Sequence, residues 1–142
     1  MFLNGVNVVL CGNKHDFKGA TIAWATKVEK DHAMVSLPSE ADATKAILSK
    51  KIFSINVLGE SQSDIARQYG GSKQTRPLPK NIHDLDFDLW GIPVVRNCRA
   101  QFLCNVVHDI PVNEQRILLA KITEHSFSES IAPLIFDYAA YF

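Results

Sequence analysis

Residues 94–107 read VVRNCRAQFLCNVV, residues 111–114 read PVNE, and residues 117–127 read ILLAKITEHSF. Across the first stretch Cys98, Ala100, Phe102, Cys104 and Val106 fall on every second position, the period of a strand with one buried face. Pro111-Val112-Asn113-Glu114 is a turn signal, and Ile117 to Phe127 supplies a returning strand. A long antiparallel hairpin is therefore predicted. It weighs against a doubly wound parallel sheet, which needs strands alternating with long helices.

The rest of the chain agrees. Gly5 to Cys11 is Val-rich and stops at Gly12-Asn13. Thr21 to Val28 alternates, with Ile22, Trp24 and Val28 on a bulky side and Thr21, Ala23 and Ala25 on a side of small residues. After the polar turn Glu29 to His32, Ala33 to Leu37 is a short strand ended by Pro38. Ser39 with Asp42, and Ser61 with Asp64, have the spacing of capping boxes. They predict helices running to about Lys50 and through Tyr69, the second stopped by Gly70-Gly71. Ile52 to Leu58 alternates between the two. Ser72 to Pro93 carries three of the six prolines without a period, and reads as a lid or a packing arm. Pro133 to Phe142 is apolar and aromatic. The pattern describes one domain over residues 1–142, mainly β, an antiparallel barrel with a few short helices.

Composition narrows the function. Fifteen Lys and Arg balance fifteen Asp and Glu, against a protein devoted to nucleic acid or an anionic membrane. No apolar run approaches the roughly 18 residues of a membrane helix, and the N-terminus lacks the basic region of a signal peptide. The three cysteines, Cys11, Cys98 and Cys104, have no metal-like spacing and read as buried thiols of a cytoplasmic protein. The five histidines form no metal motif, and Asp84, Asp86 and Asp88 read as a solvated loop edge. No nucleophile elbow, P-loop or dinucleotide fingerprint is present, so neither catalytic side chains nor a metal are expected. What remains is the small-residue face of Thr21, Ala23 and Ala25, open to a flat ligand. Ser39, Thr44 and Lys45 cluster at a helix start, where free amides favour a phosphate.

Thr21-Ile22-Ala23-Trp24 resembles the M-T-x-S-W strand of the flavin reductase-like, FMN-binding proteins. Val35-Ser36-Leu37 followed by Phe53-Ser54-Ile55-Asn56-Val57-Leu58 resembles their V-S-L and F-x-V-N-V-L core. Gln62 and Ala66, Gly91-Ile92-Pro93-Val94 with Cys104, and Pro133-Leu134-Ile135-Phe136 with Tyr141 match further segments in the same order. The resemblance covers essentially the whole chain. It implies an FMN-binding split β-barrel of Greek-key type, a homodimer with flavin near the subunit interface. It places Thr21, Ala23, Trp24 and Ala25 along the isoalloxazine or ribityl chain, and Ser36 and Gln62 in the same site. Ser39, Thr44 and Lys45 fall at the phosphate, and Asn56, Val57 and Leu58 beside the ring. FAD is the alternative to FMN, with the adenylate projecting outward.

The implied activity is passage of a hydride from NAD(P)H to flavin, with chemistry that belongs to the cofactor. One departure stands out: Gln115 and Ala120 replace a His and a Gly of the family's H-T-L-F-x-G-x-V strand, and that His is associated with the nicotinamide side. His125 and Lys121 are the nearest candidate helpers. The departure leaves room for an FMN-binding electron carrier without a nicotinamide site, serving a redox protein partner, and for a barrel that has lost its cofactor.

Overall fold

The computed structural model describes residues 4–70 and 77–135. In chain order these form β1 (Asn7–Gly12), β2 (Phe17–Ile22), β3 (Ala25–Glu29), β4 (His32–Pro38), α1 (Asp42–Lys50), β5 (Ile52–Val57), α2 (Ser63–Tyr69), β6 (Leu85–Asp86), β7 (Val94–Val95), β8 (Ala100–Val112) and β9 (Gln115–Phe127). Seven strands make one antiparallel sheet in the order β2-β1-β5-β8-β9-β4-β3, and β6 pairs with β7 apart from it. The predicted mainly β, antiparallel class holds.

The two outer strands of this sheet, β2 and β3, are joined by Ala23-Trp24 alone, so the sheet must curl. Its concave face forms a single core, to which Val9, Ile22, Val35, Phe53, Cys104 and Leu118 contribute from six different strands. Ile47 of α1 belongs to this core and stoppers one end of it, where β4 hands over to β5. The convex face of β1 is covered too, which is why its sequence is apolar without alternation: Val8 and Leu10 pack with Ile65, Ala66 and Tyr69 of α2. Gly19 allows that approach, since a Cβ there would lie 2.6 Å from Leu10 Cδ2 and 2.7 Å from Tyr69 Cδ1.

Several sequence expectations change. The strand predicted over Thr21 to Val28 is two strands with a corner at Ala23-Trp24. Ile22 and Ala25, three residues apart, both face the inner core, so alternation slips there and Thr21 does not share a face with Ala25. The run from Val94 also breaks: Asn97 takes a positive φ of 57°, and Cys98 joins the outer core while Cys104 joins the inner one. Neither capping box forms. The N-caps are Ala41 and Gln62, with no side-chain cap bond at either. Gly70 is extended, and it is required because a Cβ would meet Thr21 Cβ at 2.9 Å. Gly71, residues 72–76 and the aromatic end from Phe136 to Phe142 lie outside the described residues.

The described part of the Ser72 to Pro93 excursion is a packing arm. Leu85 is buried in the outer core, and Gln68 Nε2 donates to Asp84 Oδ2 at 2.8 Å. Ser54 and Asn56, on the convex face of β5, fasten the arm's return: Ser54 Oγ donates to Pro93 O at 2.7 Å, and Val95 N donates to Asn56 Oδ1 at 2.9 Å. All three cysteines are buried, as expected, and burial raises the Cys98 thiol to about 11 and the Cys104 thiol to about 12.

Candidate functional site

The helices pack on β1, β2 and β5, so among the described residues the convex face of β4, β9 and the far half of β8 is left uncovered. Register places the residues of that face. Ser36 pairs with Ile117 and Ile117 with Ile110, while Thr26 pairs with Met34 and Met34 with Leu119. The chain corner brings Trp24 to the same face, because Ser36 N donates to Trp24 O at 2.9 Å.

A groove of about 170 Å³ lies here, lined by Asn4, Trp24, Ala25, Thr26, Met34, Val35, Ser36 and Ile117. None of these side chains is ionisable. Trp24 is 60% exposed, a flat aromatic surface facing solvent. At the groove wall Ser36 Oγ donates to Gln115 Oε1 at 3.1 Å. This cleft has no nucleophile, general base or metal-ligand set, and no metal-holding cluster occurs among the described residues. It suits a neutral planar ring held by apolar contact and a few hydrogen bonds.

Trp24, Ala25 and Ser36 are the sequence-predicted residues that the structure gathers in this groove. Ala23 is buried under the corner beside them. Ser39 and Lys45 lie farther along the same path, at the start of α1. Ser39 N donates to Glu114 O at 2.8 Å, which sets it beside the β8–β9 turn. Lys45 Nζ is 3.4 Å from Glu40 Oε2, an exposed pair, and Asp42 sits in the first helical turn. With no side-chain cap, the first amides of α1 keep room for an acceptor.

The other candidates are engaged inside the protein. Thr21 Oγ1 donates to Ala66 O at 2.6 Å, tying β2 to α2. Thr44 is fully buried and its hydroxyl donates to Pro38 O at 2.6 Å. Asn56 Nδ2 reaches Val8 O and Ser54 Oγ, both at 2.9 Å, so together with Val95 N its amide is fully used. Gln62 accepts from Gly59 N at 2.9 Å and donates to Arg96 O at 2.8 Å. Leu58 is in the outer core, and Val57 borders a different cavity at the mouth of the sheet. Sequence reasoning missed Thr26, Met34 and Ile117, which only the β3–β4–β9 register brings together. His125 stacks edge-on against Phe127 at 5.5 Å and pairs with Phe102, and Lys121 pairs with His32, so neither candidate helper lines the groove.

Comparison with known proteins bears on the family and the fold. Residues 1–142 match the flavin reductase like domain. The reductase component of a 4-nitrophenol 4-monooxygenase/4-nitrocatechol 2-monooxygenase from Rhodococcus opacus is 26% identical over 125 residues, 87% of this chain and 65% of that protein. An oxidoreductase, provisionally so assigned, from Sinorhizobium meliloti 1021 superposes with a TM-score of 0.84 at 25% identity, over 99% of this chain and 49% of that one. The NADH:FAD oxidoreductase of Streptomyces globisporus C-1027 shares the fold, with a TM-score of 0.81 at 18% identity over 96% of this chain and 82% of that one. The chain thus spans less than two thirds of the first two relatives. With a family match over its whole length, this chain belongs to the flavin reductase like domain family.

Proposed function

We propose that the protein binds FMN in the groove between Trp24 and Ile117 and passes a hydride from NAD(P)H to it as a flavin reductase. The observation that carries this reading is the uncharged, half-open groove at the Ala23-Trp24 corner, in a chain of this family. Bound flavin would supply the redox chemistry, exchange of two electrons with a hydride donor. The chain's own part is to hold the ring. Trp24 and Ile117 offer apolar surface, Ser36 and Thr26 offer hydroxyls, and one ring face stays open to the donor.

The phosphate is assigned to the start of α1, with Ser39 and Lys45 as its polar contacts. FMN is preferred over FAD because this site ends in a single cationic side chain. The curled sheet is read as the family's split β-barrel. The uncovered face of Met34, Ile110, Ile117 and Leu119 is read as the contact of a homodimer. The Rhodococcus relative, a monooxygenase reductase component, supports a role in handing reduced flavin to a partner oxygenase. Balanced charge and three buried thiols support the cytoplasm.

Purified protein should carry a flavin spectrum, or acquire one on titration with FMN, and the colour should bleach under anaerobic NADH or NADPH. A protein that binds no flavin under either treatment overturns the assignment. The engagement of Gln115 by Ser36, at the position where the resembling family has His, favours one second reading. That reading is an FMN-binding electron carrier, and it takes over if bound flavin never bleaches with either nicotinamide.

A further inference from the structure

The curled sheet is stoppered at one end by Ile47 of α1, and its other end is open among the described residues. The open end is a cup of about 210 Å³ lined by Asn7, Ala25, Thr26, Lys27, Ala33, Ile55, Val57, Phe102 and Ile122. Each of β1, β3, β4, β5, β8 and β9 gives at least one side chain to it. The wall is mainly apolar, and two small residues, Ala25 and Ala33, leave the space that larger side chains would fill.

Three polar side chains, Asn7, Thr26 and Lys27, break this wall, and the Thr26 hydroxyl is engaged with Lys27 O at 3.3 Å. Asn7 is 6% exposed, and its Nδ2 reaches Gly5 O at 3.3 Å and Ile22 O at 3.5 Å, the outer limit of hydrogen bonding. Its Oδ1 accepts no bond from a described residue. That oxygen is not sealed in the protein, so a donor entering the cup can reach it. Lys27 stands at the rim, exposed, and makes no ion pair with a described residue. A dry apolar cavity of roughly 150 Å³ already accommodates a benzene ring.

The geometry points to a second binding site in this cup for a single-ring aromatic molecule carrying one hydrogen-bond donor, the chemical class of phenol. The ring fills the space between Ala33 and Phe102. Its hydroxyl donates to Asn7 Oδ1, and Lys27 favours a ligand with acidic character. Ala25 and Thr26 line both this cup and the groove at the chain corner, so the ligand would sit one strand away from the flavin. The binding site itself stands whether or not the flavin reading does.

The test is calorimetric titration of the full chain, stripped of flavin, with phenol and separately with toluene. Phenol is expected to bind saturably. Asn7→Leu should weaken phenol about tenfold while leaving toluene as tight or tighter. Ala33→Leu and, in parallel, Ile122→Phe should each fill the cup and abolish binding of both, with melting curves run to show which variants fold. Absence of saturable phenol binding by the wild type overturns the site. So does phenol binding that survives in a folded cup-filling variant, or an equal loss of both ligands in Asn7→Leu. Because no flavin is present, none of these results depends on the reductase reading.

Discussion

Ser36 and Gln115 meet across β4 and β9, the hydroxyl donating to the amide oxygen at 3.1 Å on the wall of the Trp24 groove. Both are neutral at any physiological pH. The groove's other lining side chains carry no ionisable group, and the bidentate Asp109–Arg116 pair is on the other face of the hairpin, since Asp109 pairs with Leu118 of the inner core while Gln115 shares its face with Ile117. Reduction of bound flavin by saturating NADH should therefore vary less than about twofold between pH 6 and 9, a range in which only His, Cys and terminal amines normally titrate. Gln115→His should add one inflection near pH 6.5, that of an ordinary imidazole. Stopped-flow bleaching at several pH values checks both. A bell-shaped profile in the wild type would show that an unidentified protein group moves a proton.

Lys45 and the uncapped start of α1 are argued to hold the phosphate. The cation is exposed and shares its charge with Glu40, so its contribution is modest and screened by salt. Lys45→Ala should weaken FMN three- to fivefold at low ionic strength, about 0.6–1 kcal/mol, and riboflavin hardly at all. In 0.5 M salt the difference should shrink. Fluorescence titration of the two flavins measures it, and equal weakening of both would remove the phosphate from this helix.

Thr44 is one turn away, yet its buried hydroxyl is already given to Pro38 O. Thr44→Val keeps the shape and deletes that bond, which should cost about 1 kcal/mol, or a fall in Tm of roughly 3–5 °C. FMN affinity should stay within twofold. Asn56→Ala removes an amide that serves Val8 O, Ser54 Oγ and Val95 N together, and should cost about 3 kcal/mol or more. Chemical denaturation of both variants checks the order. A loss of FMN affinity exceeding tenfold in folded Thr44→Val would restore the hydroxyl to the phosphate site.

Those two residues mark where the sequence could and could not be read. Strand identity was legible wherever one face is buried, as in Phe53 and Ile55 against Ser54 and Asn56. The family resemblance placed Asn56 beside the ring, but the polar side of that alternation is the seat of the packing arm, and only tertiary structure shows what covers a strand's second face. The corner at Ala23-Trp24 was invisible for a related reason. Alternation continues on paper through a bend that slips it by one residue. Ala25 was legible on the face of small residues, and Trp24 and Ser36 through the family resemblance of their segments. Met34 and Ile117 were not, because cross-strand register decides their place.

Burial holds the Cys98 and Cys104 thiols at about 11 and about 12, above the value of an unfolded thiol, near 8.5. The sign follows. The native state keeps these protons where the unfolded chain releases them, so their contribution is fully present below about pH 8.5 and is lost as pH rises toward the folded values. Stability should fall with pH above about 9, and thiol reagents should label these cysteines only as fast as the protein opens. Denaturation at pH 8 and pH 10, on the wild type and on Cys104→Ala, checks it. A stability that is flat across that interval in the wild type would contradict the burial.

The uncovered convex face decides the assembly. Ile110 is 51% exposed, Val112 44% and Met34 36%, and they stand with Ile117 and Leu119 on paired strands beside the groove. Scattered apolar residues on a surface need no explanation, but an apolar strip that follows one sheet face usually meets a partner. The groove holds only one side of a planar ring, so a second copy seated on this strip would cover what the first leaves open. A stable contact of this kind needs about 800 Å² from each subunit. The protein should therefore run as a dimer at micromolar concentration. Ile110→Glu lies outside the groove lining and places a charge in the middle of the strip. It should yield a folded monomer, because the position is solvent-exposed within one chain and its substitution disturbs no core contact. FMN affinity in that monomer should drop about tenfold, since half of the ring's enclosure is lost. Light scattering and flavin titration on the same samples test both halves of the argument. A wild type that is monomeric with flavin bound would end the dimer reading. A dimer that survives Ile110→Glu would move the interface to another face.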